Sequence, residues 1–149
     1  MRTALAALIA STTLLTASAT PVPTETEGRL VVALGSDCAV IAAVARDHYR
    51  FNDSDNVPPP LWMDDEGSGW APGCDWSRYG LSFPSTHDPE RVPARGEGIR
   101  WVSFKQPRYD GEGALIESGI KHGPLAGMGV ECRVVSGFNG WIAVDCRST

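Results

Sequence analysis

The chain has 149 residues, of which 42% are hydrophobic and 21% are charged, and its formal net charge is −5. This length fits one small domain and is too short for two. The composition excludes collagen-like, coiled-coil and fully disordered chains, and the acidity argues against binding to nucleic acid, because that requires a basic surface.

The start of the chain has the pattern of a secretory signal peptide. A positively charged Met1-Arg2 precedes an uncharged run at residues 3–16, and Ala17-Ser18-Ala19 is a small-x-small cleavage pattern. The run contains polar residues and is too short to span a bilayer, although a retained membrane anchor is the alternative. We expect residues 1–19 to be cleaved off after Ala19, giving a secreted or periplasmic protein with no membrane insertion.

The mature chain is predicted to begin with a flexible polar tail at residues 20–28, followed by a helix at residues 37–50. Ser36 can cap this helix, acidic and basic side chains lie near the ends that favour them, and apolar residues recur at helical spacing. Residues 30–34 fit either a short strand or an earlier helical turn, and Gly35 favours a break before the helix.

A long segment at residues 52–98 is rich in Pro and Trp. It contains seven of the eleven Pro and three of the five Trp residues, and Pro58-Pro59-Pro60 excludes a helix at that point. Because ordinary loops are much shorter, we expect the segment either to be functional or to contain short elements without a clear pattern. Its one plausible strand is residues 81–83.

The C-terminal third of the chain predicts four short antiparallel strands. They cover residues 101–104, 114–120, 130–135 and 141–146, with turn signals such as Asp110-Gly111 between them. We therefore predict a single α+β domain at residues 29–149. In this fold an N-terminal helix packs on a four-stranded antiparallel β-meander, and residues 52–98 form an irregular insertion.

The last hairpin predicts its own register. We assume that residues 138–140 form a three-residue loop with Gly140 in the left-handed region. The two residue numbers of every directly opposed pair then add up to 278. The predicted pairs are Val134–Val144 and Ser136–Ile142 on an apolar face, and Arg133–Asp145 and Glu131–Arg147 on a charged face. A shift by one residue would mix these two faces.

The same register predicts how the four cysteines pair. It places Cys132 opposite Cys146 on a non-hydrogen-bonded pair, where side chains approach most closely. Because an even number of cysteines in an exported chain favours disulfides, we predict Cys132–Cys146 and, by elimination, Cys38–Cys74. The alternative is that Cys132 or Cys146 is joined to Cys38 or Cys74. Two disulfides would leave no free thiol to act as a nucleophile or as a metal ligand.

Several short C-terminal patterns occur in one order: Ser103-Phe104, Pro107, Gly113–Ile116, a Gly-rich loop at Gly123–Gly129, and Gly140–Val144. Over about 45 residues the chain thereby resembles an uncharacterised group of exported bacterial proteins. That group has a Phe-containing strand, an Ala-Leu-Val strand, a Gly-rich loop and a Gly-x-Trp-x-Val strand. Some members carry cysteines in the loop, where this chain has His122 and Ala126. The resemblance supports export and this order of strands, and it implies no activity, cofactor or partner.

Patterns typical of catalytic or metal sites are scarce. The chain has three histidines and no G-x-S-x-G motif, and the run Ser85-Thr86-His87-Asp88 is typical of a polar turn. The acidic stretches at residues 53–56 and 64–66 are typical of surface loops, because neither completes a calcium-binding pattern. We therefore predict no catalytic residue, no metal and no cofactor.

The candidate ligand-binding residues are four aromatic residues among the Gly and Pro of the irregular segment: Trp62, Trp70, Trp76 and Tyr79. Aromatic side chains on irregular backbone can bind a protein, a peptide or a glycan. The alternative is that they form a small core of their own, as large residues of small domains often do. Trp101 and Trp141 lie in predicted strands and are expected in the main core.

Taken together, these patterns favour a non-enzymatic binding module of the cell envelope. Its partner would be a protein, peptide or glycan and not a nucleic acid. One alternative is an exported hydrolase that uses His87, Asp88 or a pair of acidic residues. Another is a small inhibitor or immunity-type protein, which a compact, acidic, disulfide-bonded domain would suit.

Overall fold

A computed structural model describes residues 25–53 and 55–149, with side chains from residue 36 onwards. The predicted signal peptide, residues 20–24 of the predicted tail and Ser54 lie outside the described residues. None of the helices in the described part has the length and hydrophobicity needed to span a bilayer.

The α-helix, α1, runs from Glu25 to Asp47 and is longer at its start than the sequence predicts. Residues 25–28, which were expected to belong to the tail, form its first turn, and residues 30–34 are helical. Gly35 does not break the helix, because an isolated glycine costs only about 1 kcal/mol relative to alanine and the flanking Leu and Ala residues favour a helix.

The helix ends at Asp47, three residues before the predicted end at Arg50. Arg50 and Asn52 have φ values of 59° and 60°, so the backbone turns into the left-handed region there. The side-chain amide of Asn56 donates to the carbonyl oxygens of Tyr49 at 2.7 Å and Arg50 at 3.1 Å. These hydrogen bonds stabilise a tight turn in place of a last helical turn.

Six strands form one mixed sheet. They are β1 (Leu61–Asp64), β2 (Trp101–Lys105), β3 (Arg108–Tyr109), β4 (Ala114–Gly123), β5 (Ala126–Gly137) and β6 (Gly140–Ser148). Their order is β1-β2-β4-β5-β6, with β3 also paired to β4; β1 is parallel to β2 and the other pairs are antiparallel. The fold is therefore α+β, and the predicted four-stranded meander is the larger part of a six-stranded sheet.

The irregular segment contains elements that its sequence does not reveal. Strand β1 directly follows the three prolines, and it is only four residues long. A 3-10 helix covers Trp76–Tyr79. Residues 81–83, the predicted strand, are not a strand: Leu81 is buried in the core, and the ring of Phe83 lies 5.3 Å from that of Trp76. Packing of these apolar side chains, and not strand pairing, accounts for their pattern.

One face of the sheet packs against α1 and the other does not. The core contains Val40, Ile41 and Val44 of α1 together with Val102, Phe104, Ile116 and Val134 of the sheet. Because side chains alternate along a strand, Trp101, Ser103 and Lys105 of β2 lie on the opposite side, which we call the outer face. Among the described residues, no helix covers this face.

A row of charged side chains crosses the outer face. Glu117 is directly opposite Glu131, and Glu131 is opposite Arg147. The Arg108 guanidinium bridges the two acids, at 3.1 Å from Glu117 and 2.8 Å from Glu131, and Lys105 lies 3.2 Å from Glu117. The cations thus offset the repulsion that like charges on neighbouring strands would otherwise cause.

The predicted register of the last hairpin is right for one half and wrong for the other. Glu131–Arg147, Cys132–Cys146 and Arg133–Asp145 are opposed as predicted. Towards the turn, however, Val134 faces Ala143 and Ser136 faces Trp141, because Val144 is an extra residue in β6 that forms a bulge.

The bulge follows from a shorter turn. Gly137 pairs with Gly140, so the loop contains only Phe138 and Asn139, although Gly140 does have a positive φ of 107°. The extra residue in β6 restores the predicted register further along the ladder. As a result the predicted pairs Val134–Val144 and Ser136–Ile142 do not form, and the side chains of Ile142 and Val144 are exposed.

Both predicted disulfides are confirmed. Cys132–Cys146 joins β5 to β6 with the Cα atoms 4.0 Å apart, as expected for neighbouring strands at a non-hydrogen-bonded pair. Cys38–Cys74 fastens α1 to the irregular segment across a separation of 36 residues. No cysteine of the described part is free.

Candidate functional site

Three of the four predicted ligand-binding residues belong to the core side of the sheet. Trp70, Trp76 and Tyr79 are half-buried and pack against the hydrophobic core. The indole N–H of Trp70 also donates to the Asp37 carboxylate at 2.9 Å, which fixes its orientation. For these three residues the alternative interpretation, a small core, describes their environment.

Trp62 lies apart from them, on the outer face. Its neighbours are His87 and Trp101, with ring centroids 6.1 Å and 6.2 Å away and the rings edge to face. The imidazole of His87 stacks on Trp101 at 4.3 Å with the two planes 10° apart. We call these three residues the aromatic cluster. All three are half-buried, so part of each ring remains accessible.

The strand geometry explains how the cluster forms. In β1 and β2, Leu61 pairs with Val102, and both point into the core, which sends Trp62 and Trp101 to the outer face. His87 arrives from the far end of the irregular segment, because its backbone N–H donates to the carbonyl of Leu61 at 2.7 Å. Residues 85–87 thereby run alongside the edge of β1.

The expected core position of Trp101 is therefore wrong, whereas Trp141 is half-buried and packs against the core. The Nζ atom of Lys121 lies 4.9 Å from the centre of a Trp101 ring, which places a cation beside the aromatic cluster. Neither Trp101 nor Lys121 was predicted as a site residue. The alternation in the Trp-Val-Ser-Phe sequence of β2 could have predicted that Trp101 lies outside the core, since it places Trp101 and Phe104 on opposite faces of the sheet.

A cleft of about 320 Å³ opens beside the cluster, and we call it the His87 cleft. Its polar and charged lining residues are Ser85, Thr86, His87, Asp88, Arg91, Glu97 and Arg100. Arg91 is paired with Glu97 at 2.9 Å. Arg100 has no hydrogen-bond or ion-pair partner among the described residues, so its guanidinium is free to bind a ligand.

Among the described residues, His87 is not hydrogen-bonded to a nucleophile or to an orienting acid. Burial lowers its pKa, Asp88 opposes that shift and Arg91 adds to it, so the imidazole is neutral near pH 7. The imidazole makes no hydrogen bond to a described residue, although Ser85 and Asp88 line the same cleft. Acyl transfer by a serine needs a base that is bonded both to the nucleophile and to an orienting acid.

The acidic stretch at residues 64–66 has structural partners. The Asp65 carboxylate accepts hydrogen bonds from the backbone N–H groups of Gly67 at 2.9 Å and Gly69 at 3.1 Å, and so fixes the loop after β1. Glu66 forms an ion pair with Lys105. Hydrogen bonds to Glu66 and Glu117 raise the pKa of the Lys105 ammonium group. In return, the hydrogen bond from Lys105 and, to a smaller extent, the one from Arg108 lower the pKa of the Glu117 carboxyl group.

In the stretch at residues 53–56, Asp53 lies 4.0 Å from the guanidinium of Arg50, and Asn56 stabilises the turn after α1. Among the described side chains, neither acidic stretch belongs to a group that could hold a metal ion. Both stretches therefore have the surface-loop contacts that their sequences indicate.

No known protein family, curated protein or solved structure matches this chain. What the outer face can bind thus follows from its own chemistry. The outer face offers aromatic ring surface at Trp62 and Trp101 and a cation at Lys121, and the adjoining His87 cleft offers a neutral imidazole at His87 and a cation at Arg100. This combination suits a ligand with both apolar faces and hydroxyl or anionic groups.

Proposed function

We propose that the protein is an exported, non-catalytic binding module and that its ligand is a glycan bound by the aromatic cluster and the His87 cleft. Export is supported by the N-terminal sequence pattern and by two disulfides, which form in oxidising compartments. The resemblance to exported bacterial proteins agrees with this location.

The observation that carries the proposal is the position of Trp62 and Trp101. Both are half-buried on the face that α1 leaves uncovered, and His87, whose ring contacts both indoles, also lines a cleft with polar walls. A sugar ring presents C–H groups on its faces and hydroxyl groups at its edge. A face of the sugar can therefore pack against the accessible part of the Trp62 indole, since the imidazole of His87 already stacks on Trp101, while the hydroxyl groups bond to His87 and Arg100.

The size of the site favours a glycan over a protein partner. A stable protein interface buries about 800 Å² on each side, whereas pockets of about 300–1,000 Å³ suit small ligands. The His87 cleft, at about 320 Å³, falls at the lower end of that range and could hold one or two sugar rings. The hydrolase alternative lacks a nucleophile bonded to His87, and so binding without cleavage is the better supported function.

The test is a titration of residues 20–149 with fragments of bacterial cell-envelope polysaccharides, followed by tryptophan fluorescence and calorimetry. Trp62→Ala should weaken binding about tenfold or more, as loss of an aromatic contact of 1.4 kcal/mol would. Phe138→Ala is the matched control, because Phe138 is fully exposed at the distant β5–β6 turn. Equal binding by Trp62→Ala and wild type, or binding to no glycan at all, would refute the proposal.

A further inference from the structure

We propose that reduction of the Cys132–Cys146 disulfide produces, together with His48, a binding site for a thiophilic divalent cation such as Zn²⁺. An imidazole nitrogen of His48 and the two Sγ atoms all lie within 4.8 Å of one another. This is the one group of three or more potential ligand residues with such spacing among the described side chains. It lies on the core side of the sheet, away from the aromatic cluster.

The two sulfur atoms would remain neighbours after the bond between them is broken. On either side of the cysteines the ladder of β5 and β6 continues, with Glu131 opposite Arg147 and Arg133 opposite Asp145. Antiparallel pairing of these strands does not depend on the covalent bond alone. Reduction therefore leaves two thiols facing each other at the same position in the sheet.

His48 is held over the cysteines by the residues on either side of it. The Asp47 carboxylate accepts a hydrogen bond from the backbone N–H of Ala143 in β6 at 3.0 Å. The hydroxyl of Tyr49 is hydrogen-bonded to that of Ser118 in β4 at 2.9 Å. Because both neighbours of His48 are attached to the sheet, reduction of the disulfide does not release the imidazole from its place.

The set of donor atoms determines which cation fits. Two thiolates and one imidazole are ligands that zinc prefers, whereas magnesium and calcium prefer oxygen. Zinc takes sulfur at about 2.3 Å and nitrogen at about 2.0–2.1 Å in a tetrahedron, so small side-chain rotations would bring all three atoms into range. Cys132 is fully buried and Cys146 is half-exposed, so a fourth, water-filled position would open on the side of Cys146.

Metal binding and the disulfide exclude each other. A dithiol reductant supplies two electrons and two protons, the S–S bond breaks to give two thiols, and the reductant becomes a disulfide. The cation then displaces the two thiol protons and binds the thiolates. In an oxidising compartment the pair stays a disulfide, and where a dithiol reductant is present the same residues bind metal, so the site responds to redox conditions.

The test uses Co²⁺ as a spectroscopic probe, with residues 20–149 prepared in the oxidised and in the reduced state under anaerobic conditions. The reduced protein should bind one equivalent, with a thiolate-to-cobalt charge-transfer band that Zn²⁺ abolishes, and the oxidised protein should show no such band. His48→Ala should weaken binding at least tenfold, since even residues that only support a metal ligand contribute about 10–100-fold. His122→Ala is the matched control, because His122 is exposed on β4, where it is not part of the group.

Two further variants identify the sulfur ligands. Cys38→Ala/Cys74→Ala should keep the band, and Cys132→Ser should lose it. The proposal is overturned if the reduced protein shows no band, if removing Cys38 and Cys74 abolishes it, or if His48→Ala and His122→Ala bind equally well. Circular dichroism of the reduced protein shows whether the fold persists, and metal binding by an unfolded reduced chain would also overturn the proposal.

Discussion

The carboxylate of Asp37 accepts a hydrogen bond of 2.6 Å from the hydroxyl of Tyr109, which joins α1 to the short strand β3. Its other oxygen accepts the indole N–H of Trp70. Asp37 is buried, and a buried carboxylate is costly unless its oxygens are hydrogen-bonded. These two donors therefore connect the helix, the irregular segment and the sheet through one side chain.

Tyr109→Phe should lower the free energy of unfolding by about 1.5–3 kcal/mol, the range for hydrogen bonds to charged groups. The substitution removes only the phenolic hydroxyl, and the buried Asp37 carboxylate then loses the hydrogen bond that this hydroxyl donates. Urea unfolding followed by circular dichroism measures the loss. Tyr79→Phe is the control, because the Tyr79 hydroxyl has no hydrogen bond to a described residue. Equal stability of the two variants would contradict a structural role for the Asp37–Tyr109 bond.

The same contact predicts a pH dependence. Burial, followed by the hydrogen bond and the charge of Asp37, raises the pKa of Tyr109 well above its usual value near 10. Tyr109 therefore makes its full contribution to the free energy of unfolding below pH 10. Above pH 10 this contribution decreases, because the unfolded chain loses the phenolic proton while the folded chain keeps it. Stability measured between pH 8 and pH 11 should fall more steeply for wild type than for Tyr109→Phe.

Asp47 is expected to keep β6 from pairing with other chains. β6 is an edge strand, and the side chains of Ile142 and Val144 are exposed on it. The Asp47 carboxylate accepts the hydrogen bond of the Ala143 backbone N–H, so this group cannot pair with another strand. Unpaired edges with apolar residues promote association between chains. Asp47→Ala should therefore form dimers or larger species at concentrations at which wild type is monomeric.

Light scattering coupled to size exclusion measures this effect. Asp53→Ala is the control, since it removes one acidic residue of the same charge from an exposed turn outside the sheet. If both variants elute and scatter like wild type, then the Val144 bulge alone is sufficient to protect the edge.

The last hairpin shows what the sequence could and could not predict. The Cys132–Cys146 pair and the two flanking pairs were predicted from a three-residue turn, and they form because the extra residue in β6 compensates for a turn that is one residue shorter. The bulge at Val144 was missed, since an apolar residue fits either side of an edge strand and gives no signal. Turn length is a local backbone preference that a Phe-Asn-Gly sequence leaves open between two and three residues.

The candidate site was predictable to a smaller extent. Trp62 was identified by its type and its setting among Pro and Gly. His87 was considered as part of a polar turn or as a hydrolase residue and not as a neighbour of Trp62, because that contact requires the irregular segment to fold back along β1. Strand β1 itself is too short, and too close to the three prolines, for a periodic pattern to be recognised. Contacts between residues distant in the chain thus account for what the sequence did not reveal.

His87 should make stability depend on pH in the mildly acidic range. Its pKa is lowered in the folded state, chiefly by burial, so the unfolded chain binds a proton at a higher pH than the folded chain does. The contribution of His87 to the free energy of unfolding is therefore complete above the pKa that histidine has in the unfolded chain, near 6.5. It decreases as the pH falls through that value. His87→Gln should flatten the curve of unfolding free energy against pH between pH 7 and pH 5, which urea unfolding at a series of pH values measures.

The Cys38–Cys74 disulfide should contribute more to stability than Cys132–Cys146, because it closes the longer loop, with separations of 36 and 14 residues. Loop entropy predicts losses of about 4 and about 3 kcal/mol when each pair is replaced by alanine. Cys38→Ala/Cys74→Ala should also speed hydrogen exchange in residues 52–98, which the disulfide fastens to α1, while amides shared by β4 and β5 stay protected. Uniform loss of protection across the sheet would show instead that the irregular segment and the sheet unfold as one unit.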